Sequence, residues 1–267
     1  MIPKSFLEDV QDKKEFRGLS EKFIKKIALD ILEDETNLAD ILYEKDWNDR
    51  SKEYKEFKKL VRKHLRRIHG VFYKDKSKGL TDWHVLLKRH RSTSERYQHF
   101  TEVYQWIEEL GMTTLMDLGC GYNPFSYTLF ENIQKFYCVD INKEDKAIVN
   151  EFLNDNSLQG SYEVKDLTKK ENYDHIIELS KDYDIVLMLK LLDSLETLKK
   201  DISYSLLKDL KSKYLVVSFP LKSISGKEDF TTKRTWFKQA IKESNYTIKE
   251  IKEFGPEKYY LLKRNEI

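Results

Sequence analysis

Apolar residues recur every three or four positions along the first hundred residues, and this spacing predicts helices. One stripe follows Ser20, whose hydroxyl can cap the helix that begins there. A second stripe runs from Lys52 to Ile68 opposite a strongly basic face, and Gly70 is suited to end it. Ser92-Thr93-Ser94-Glu95 has the spacing of a capping box and predicts a further helix start.

From Thr113 onward, short apolar runs alternate with helical stretches, a pattern that predicts a parallel sheet covered on both faces. The predicted buried strands are Thr114–Leu118, Phe136–Ile141, Tyr162–Leu167, Ile185–Leu189 and Tyr214–Phe219. Helices are predicted between them near 124–132, 143–154, 170–181, 196–211 and 231–244. Thr247–Phe254 and Lys258–Lys263 follow as a final strand pair around a Gly255-Pro256 turn. We therefore predict an α/β fold with a mainly parallel, Rossmann-like sheet of seven strands over 106–267, preceded by an all-helical domain over 1–105.

Charge is distributed unevenly along the 267 residues, although the net charge is only +2. Residues 52–96 hold 15 Lys/Arg against 5 Asp/Glu, a local net charge of +10. Such a block next to a near-neutral domain favours a polyanionic partner, although a merely solvated basic face would have the same composition. Two cysteines and no apolar run of 18 residues argue against a disulfide framework, a metal site or a membrane span. We expect a cytoplasmic monomer that binds no metal ion and no membrane.

The first predicted strand runs into Asp117-Leu118-Gly119-Cys120-Gly121-Tyr122-Asn123-Pro124. Paired glycines allow a tight turn and a close approach of the backbone to a ligand. The third glycine of the dinucleotide fingerprint is replaced by Pro124, which disfavours a pyrophosphate cradle. Asp140 closes the second strand 19 residues after Gly121, where an acidic side chain can accept hydrogen bonds from both ribose hydroxyls. These features favour a cofactor without phosphates, such as S-adenosylmethionine.

Two more strand ends should face the same ligand, because open parallel sheets bind ligands beyond their carboxyl ends. Asp166 and Leu167 close the third predicted strand; Asp166 is equally suited to bind an adenine amino group or to cap the following helix. Leu189 and Lys190 close the fourth strand, where a transferred methyl group would lie. Cys120 is expected to be a small packing residue of the glycine loop.

Several motifs together resemble the aminoglycoside-resistance 16S rRNA (guanine-N7) methyltransferases, the Arm and Rmt enzymes. They are Gly119–Pro124, the run 187–192, Ser218-Phe219-Pro220-Leu221-Lys222-Ser223-Ile224-Ser225-Gly226-Lys227-Glu228, His90–Arg96, the basic helix end Ile68–Tyr73 and Trp236-Phe237. The resemblance spans roughly 60–240 and implies the class I methyltransferase fold. The chain departs from the family pattern at Asp193, where a proline is usual, and over 228–235.

The resemblance also implies roles for individual residues. The cofactor would be held by Thr93, Arg96, Asp117, Gly119, Gly121, Asn123, Asp140, Ile141, Asp166, Leu167 and Leu189, with Thr93 and Arg96 at its methionine carboxylate. The catalytic residues would be Leu189, Lys190, Ser218 and Phe219, beside a substrate loop that includes Ser223, Ser225 and Gly226. The RNA would contact Lys55, Lys58, Lys59, Arg62, Lys63, Arg66, Arg67, Arg89, Lys222 and Lys227. Phe219, Phe230 and Trp236 are candidates to stack on a flipped base, although each of these aromatic side chains is better suited to the core.

The implied activity is S-adenosylmethionine-dependent methylation of N7 of a guanosine in the decoding region of 16S rRNA, free or within the 30S subunit. Attack by the N7 lone pair needs no general base, which agrees with a chain that has no His–carboxylate pair near its strand ends. The sequence is also compatible with other functions. The protein could be a methyltransferase for tRNA or another rRNA position, a catalytically silent RNA-binding or ribosome-assembly factor, or a small-molecule methyltransferase.

Overall fold

The computed structural model describes residues 2–66, 83–221 and 234–265. Helices α1 to α4 form a helical domain with its own apolar core, and the remaining elements build a sheet domain. The helical domain comprises α1 Lys4–Gln11, α2 Glu21–Asp34, α3 Thr36–Glu44 and α4 Lys52–Leu65. Ser20 caps α2 as predicted, since its hydroxyl oxygen accepts a hydrogen bond from the Phe23 N–H at 3.2 Å. Ser51 caps α4 in the same way.

Three further helices lie between the helical domain and the first strand: α5 Trp83–Arg89, α6 Arg91–Arg96 and α7 Phe100–Glu108. Their apolar side chains belong to the core on one face of the sheet. Side chains of α5 and α7 thus contribute to the core of the sheet domain. The capping-box prediction at Ser92 was wrong, because α6 already begins at Arg91 with His90 as its N-cap residue. Glu95 instead binds the side chains of Arg91 and Lys190.

Seven strands of the described residues form one sheet in the order β3-β2-β1-β4-β5-β7-β6. They are β1 Thr114–Leu118, β2 Lys135–Asp140, β3 Gln159–Val164, β4 Ile185–Leu189, β5 Tyr214–Pro220, β6 Tyr246–Phe254 and β7 Glu257–Arg264. The first five pair in parallel, whereas β7 runs antiparallel to β5 and β6. The predicted fold, a mainly parallel seven-stranded sheet preceded by helices, is confirmed.

The third strand differs from its prediction, Tyr162–Leu167, by beginning and ending three residues earlier. It is an edge strand whose side chains are mostly half-exposed, so its first residues lack the apolar pattern that marks the inner strands. After it ends, the Lys165 N–H donates to the Asp140 carbonyl at 2.9 Å and turns the chain toward β2. Asp166 and Leu167 therefore lie in a turn beyond the strand and not within it.

Helices α8 Asp145–Asp155, α9 Lys170–Leu179, α10 Leu192–Leu198, α11 Ile202–Asp209 and α12 Thr235–Glu243 complete the described elements. The predicted helix at 124–132 is a short 3-10 helix, Asn123–Leu129, which contains Pro124 in its first turn. The predicted helix at 196–211 is divided in two, because Asp201 adopts a φ of +62°. Glu196 stabilises this break by accepting hydrogen bonds from the N–H groups of Asp201 and Ser203. No helix in the described part of the chain is long and apolar enough to span a bilayer.

Candidate cofactor cavity

A cavity lies at the carboxyl ends of β1, β2 and β4, where open α/β sheets bind ligands. About 880 Å³ of space free of protein atoms lies inside the cavity and at its open mouth. Its walls come from the glycine loop after β1, the ends of β2 and β4, the turn after β3, and one helix of the helical domain. The lining residues include Phe23, Gly119, Gly121, Asp140, Ile141, Asp166, Leu167, Leu189, Lys190, Leu195 and Leu198.

The glycine loop forms one wall and leaves no room for side chains at its two glycines. Gly119 has a φ of +66°, and a Cβ added there would lie 2.5 Å from Cδ1 of Leu191. Gly121 has a φ of +49°, and its Cβ would lie 3.0 Å from the His90 ring. Both positions therefore need glycine for backbone conformation and for space. Cys120 between them is buried, and burial raises the pKa of its thiol well above the usual range, as suits a packing residue.

Asp140 connects this loop to the end of β2. One carboxylate oxygen accepts from the Gly121 N–H at 2.8 Å, and the other accepts from the Ile141 N–H at 2.7 Å. Burial raises the pKa of Asp140, and the backbone N–H groups act against that rise. Each carboxylate oxygen has a second lone pair, so a side chain fixed in this way can still accept hydrogen bonds from hydroxyl groups in the cavity.

Asp166 stands on the opposite wall with one oxygen engaged and one unpartnered. Its Oδ1 accepts from the Thr168 N–H at 3.0 Å and from the Thr168 hydroxyl at 2.6 Å. Its Oδ2 is buried without a hydrogen-bond partner among the described residues, and Asp166 lines the cavity. The helix-capping role predicted for Asp166 was wrong, because Lys169 is the N-cap residue of α9. Asp166 instead orders its own turn, and its role toward a ligand stays a prediction.

Leu189 and Lys190 line the cavity at the end of β4, as predicted from the sequence. Lys190 has a φ of +55°, which is uncommon for a residue with a side chain. Its N–H donates to the Ser218 carbonyl and hydroxyl oxygens, each at 3.1 Å. These bonds hold the backbone turn and direct the Lys190 side chain along the cavity wall.

The Lys190 ammonium belongs to a largely buried polar group that we call the Glu257 cluster, made of Glu95, Arg96, Lys190, Ser218 and Glu257. Lys190 Nζ lies 2.6 Å from Glu95 Oε2 and 3.0 Å from Glu257 Oε1. Glu257 Oε2 also accepts from Arg96 at 2.9 Å and from the Ser218 hydroxyl at 2.9 Å. Burial alone would raise the pKa of Glu257, but Arg96 and Lys190 outweigh it and lower that pKa. The cluster balances two carboxylates against two cations.

A second buried carboxylate lies nearby with uncharged partners, and we call Asp117, Asn123 and Tyr127 the Asp117 cluster. Asp117 Oδ2 accepts from the Tyr127 hydroxyl at 2.6 Å and from the Asn123 side-chain amide at 3.0 Å. Its Oδ1 has no partner among the described residues. Burial raises the pKa of Asp117 to about 6, against the opposing effect of these hydrogen bonds. Asn123 also accepts from Arg96 at 2.7 Å, so it joins the two clusters.

Several residues that the resemblance assigned to ligands lie behind the cavity wall. Arg96 is 1% exposed and donates to Asn123, Glu257 and Tyr259. The Thr93 hydroxyl donates to backbone carbonyls of α5 and its end. Neither residue lines the cavity, and neither does Asp117. These three lie behind the cavity wall, and the role at the methionine carboxylate expected of Thr93 and Arg96 stays a prediction.

Ser218 and Phe219, predicted as catalytic, are also absent from the cavity lining. Ser218 is fully buried in the Glu257 cluster. The Phe219 ring packs edge-on against Trp236 and Phe237, and the Arg234 guanidinium covers it at 4.3 Å. Phe219 is therefore a core residue and not a platform for a base. Asp193, the departure from the family pattern, binds that same Arg234 at 2.8 Å.

The basic residues of α4 divide into two sets. Lys58 pairs with the Asp9 carboxylate and Arg66 with Glu15 at 3.1 Å, whereas Arg62 donates to the Asp9 backbone carbonyl, so these three are engaged inside the helical domain. Exposed lysines spaced four residues apart form the other set, which we call the lysine stripe: Lys55, Lys59 and Lys63. Arg67, Lys222, Lys227, Phe230 and the loop residues Ser223, Ser225 and Gly226 lie outside the described residues, as does the side chain of Arg89.

Sequence reasoning missed two contributors to this region. Phe23 reaches the cavity from α2, where its place in an apolar stripe gave only a core signal. Glu257 follows the Gly255-Pro256 turn and looks like one of many charged residues in a final hairpin. Its pairing position opposite Pro220 at the end of β5 brings it under the cavity. The described residues contain no group of three or more His, Cys, Asp or Glu side chains that could hold a metal ion.

Comparisons with known proteins agree with this geometry. The family model described as ribosomal RNA methyltransferase (FmrO) matches residues 53–252. The chain is 30% identical over 189 residues to a 16S rRNA (guanine(1405)-N(7))-methyltransferase of Proteus mirabilis, covering 67% of this chain and 64% of that relative. A Serratia marcescens protein of the same name is 26% identical over 183 residues, covering 67% and 69%. The chain thus spans less than two thirds of the length of the Proteus relative.

Solved structures share the fold, and one of them does so across almost the whole chain. The 16S rRNA methyltransferase RmtF, solved in complex with S-adenosyl-L-homocysteine, aligns with a TM-score of 0.76 at 21% identity, covering 99% of this chain and 100% of that one. The 16S rRNA methylase ArmA aligns with a TM-score of 0.55 at 25% identity over 68% of this chain and 91% of its own. With three quarters of its length matched by the family model and a cavity where the fold binds ligands, the chain belongs to the ribosomal RNA methyltransferase (FmrO) family.

Proposed function

We propose that this protein is an S-adenosylmethionine-dependent methyltransferase that modifies N7 of a guanosine in 16S rRNA. The observation that supports this most directly is the cavity that joins Gly119, Gly121, Asp140 and Asp166 at the carboxyl end of the sheet. The names of the Proteus and Serratia relatives supply the substrate and the atom.

The donors and acceptors of the cavity suit this cofactor. Asp140 presents two fixed carboxylate oxygens for ribose hydroxyls, and the free Asp166 Oδ2 is an acceptor for an adenine amino group. Apolar side chains of Ile141 and Leu167 offer surfaces for the adenine ring. The side-chain-free loop at Gly119 and Gly121 lets the backbone approach the remaining part of the cofactor. The bound cofactor would supply an electrophilic methyl group on a sulfonium.

The chain's own contribution to the reaction is positioning. Guanine N7 has a lone pair and no proton, so the residues need to align the base and exclude water but not to remove a proton. Leu189 and Lys190 are the cavity residues at the end of β4, where the base must arrive. Glu95 and Glu257 fix the Lys190 ammonium, whose remaining N–H is a suitable donor to the guanine O6 next to N7.

The decisive experiment combines cofactor binding with methylation of purified 30S subunits and of free 16S rRNA. We expect S-adenosylhomocysteine to bind in calorimetry, and labelled methyl groups to appear on one guanosine that resists alkylation at N7. Asp140→Ala should weaken binding by about a hundredfold, because it removes two hydrogen bonds to a charged group. Methylation of tRNA, or of another atom of the rRNA, would contradict the proposed substrate. Absence of cofactor binding would favour an RNA-binding protein without catalysis.

The lysine stripe on α4 is the part of the described surface that we assign to RNA phosphates. Phosphate contacts release counterions, so log affinity falls as log salt rises. Each lost contact makes that slope less steep by roughly 0.7–0.9. We expect replacement of all three stripe lysines by alanine to weaken 30S binding at low salt and to reduce that slope by roughly 2. The control removes the same charge from exposed lysines of the sheet domain: Lys146, Lys170 and Lys208. Equal effects of both triple variants would contradict an assigned docking face.

A further inference from the structure

The helical domain enters the cofactor cavity through one side chain. Phe23, in the first turn of α2, lines the cavity and is only 2% exposed. Its neighbours in the core of the helical domain, such as Ile24, do not line the cavity. Phe23 therefore belongs both to the helical core and to the wall of a site that is otherwise built by the sheet domain.

Three other contacts hold α2 and the chain before it against this wall. The Lys143 N–H donates to the Gly18 carbonyl at 3.2 Å, directly after the end of β2. A Cβ added at Gly18 would lie 1.9 Å from Oδ1 of Asn142, so glycine lets the Asn142 side chain pack directly against the backbone before α2. Lys26 Nζ donates to the Thr168 hydroxyl at 2.7 Å. That same hydroxyl donates to Asp166, which lines the cavity.

Apolar packing adds to the contact between the helical domain and the cavity wall. Ile141 and Leu198 line the cavity and also pack against the core of the helical domain. Ile141 and Leu198 thus join the cavity wall to the core of the helical domain. Side chains that follow β2 and β3 surround the adenosine part of the proposed cofactor, so α2 lies at the adenosine end.

We propose that the helical domain is a direct part of the cofactor site, with Phe23 as a binding residue that contacts the adenosine portion. This inference rests on the proposed cofactor and assigns the domain a second role beside RNA docking. An aromatic side chain in the wall of the cavity suits contact with the flat adenine ring. The Lys26–Thr168–Asp166 chain of hydrogen bonds then transmits the position of α2 to the acceptor for the adenine amino group.

Calorimetry with S-adenosylhomocysteine tests the proposal on the full chain. We expect Phe23→Ala to weaken binding by about tenfold and Phe23→Leu by less, because apolar contact area is lost in steps. The matched control is Ile24→Ala, which damages the same helical core without touching the cavity. It should lower the melting temperature while leaving the affinity within about twofold of the wild type.

Hydrogen exchange gives a second readout that does not depend on a substitution. Amides in the first turns of α2 and in the turn at 166–168 should exchange more slowly once S-adenosylhomocysteine is bound. Wild-type affinity in Phe23→Ala, or an equal loss in Ile24→Ala, would overturn the proposal while the cofactor assignment stands. If the wild type itself bound no S-adenosylhomocysteine, the proposed function would fail first and the role of Phe23 with it.

Discussion

The Glu257 cluster and the Asp117 cluster are two ways of burying a carboxylate beneath the same cavity. Glu257 faces the cations Arg96 and Lys190, and its pKa is lowered in spite of burial. Asp117 faces an amide and a phenol, and burial raises its pKa to about 6. Both carboxylates are fully buried, and only the charge of their partners differs. Burial alone therefore does not decide the charge state of a group in this protein; the nearest charges do.

The difference has consequences for what each cluster can do. Ions that neutralise one another hold the Lys190 side chain at the cavity in one position across the neutral pH range. A carboxylate with neutral partners remains sensitive to protonation near pH 6. Asn123 links the two through Asp117 and Arg96, so a change in one cluster reaches the other through a single side chain.

Removing the charge of Glu257 should produce the largest effect. Glu257→Gln keeps the volume of the side chain but leaves Arg96 and Lys190 without their shared carboxylate, and breaking a buried pair costs about 3–5 kcal/mol. Urea unfolding at pH 7 measures this loss. Glu253→Gln, which removes an exposed pair with Lys258, is the control and should cost less than about 1 kcal/mol. A loss below 1 kcal/mol in Glu257→Gln would mean that the ions do not stabilise the fold.

Replacing Asp117 should change how the stability of the protein depends on pH. Because the pKa of Asp117 is raised on folding, its contribution is favourable below about pH 4 and is lost as the pH rises through 6. Asp117→Asn removes this dependence. Relative to the wild type, the unfolding free energy of the variant should rise by about 1–3 kcal/mol between pH 4 and pH 7. A cost of the substitution that does not depend on pH leaves this rise unchanged. A difference that stays flat over this range would contradict an elevated pKa.

The smallest effect is expected for Ser218→Ala, which removes the hydrogen bond to Glu257 and one of the two acceptors of the Lys190 N–H. A loss of about 1 kcal/mol in unfolding free energy is typical for such a bond. Methyl transfer should change less than tenfold, because the hydroxyl is buried behind the cavity wall. Ser203→Ala, which removes another buried hydroxyl far from Glu257, gives the baseline. A rate loss beyond a hundredfold at nearly unchanged stability would restore the catalytic role first predicted for Ser218.

The two clusters also show how far sequence can lead. Gly119, Gly121 and Asp140 were predictable because a turn and a strand end are local features at a fixed spacing. Glu257 was not, since its role arises from antiparallel pairing with β5 and from partners more than sixty residues away. Likewise, the apolar pattern predicted the inner strands closely but misplaced β3, whose exposed edge position removes that pattern.

The contact between Gly18 and Asn142 limits how this protein can be recombined with its relatives. Any side chain at position 18 would collide with Asn142, so the two surfaces have to match as a pair. A chimera that joins these helices to the sheet of another family member would need to exchange both positions together. The helical domain is thus not freely exchangeable between relatives. Its sequence is expected to evolve together with that of the sheet domain it touches.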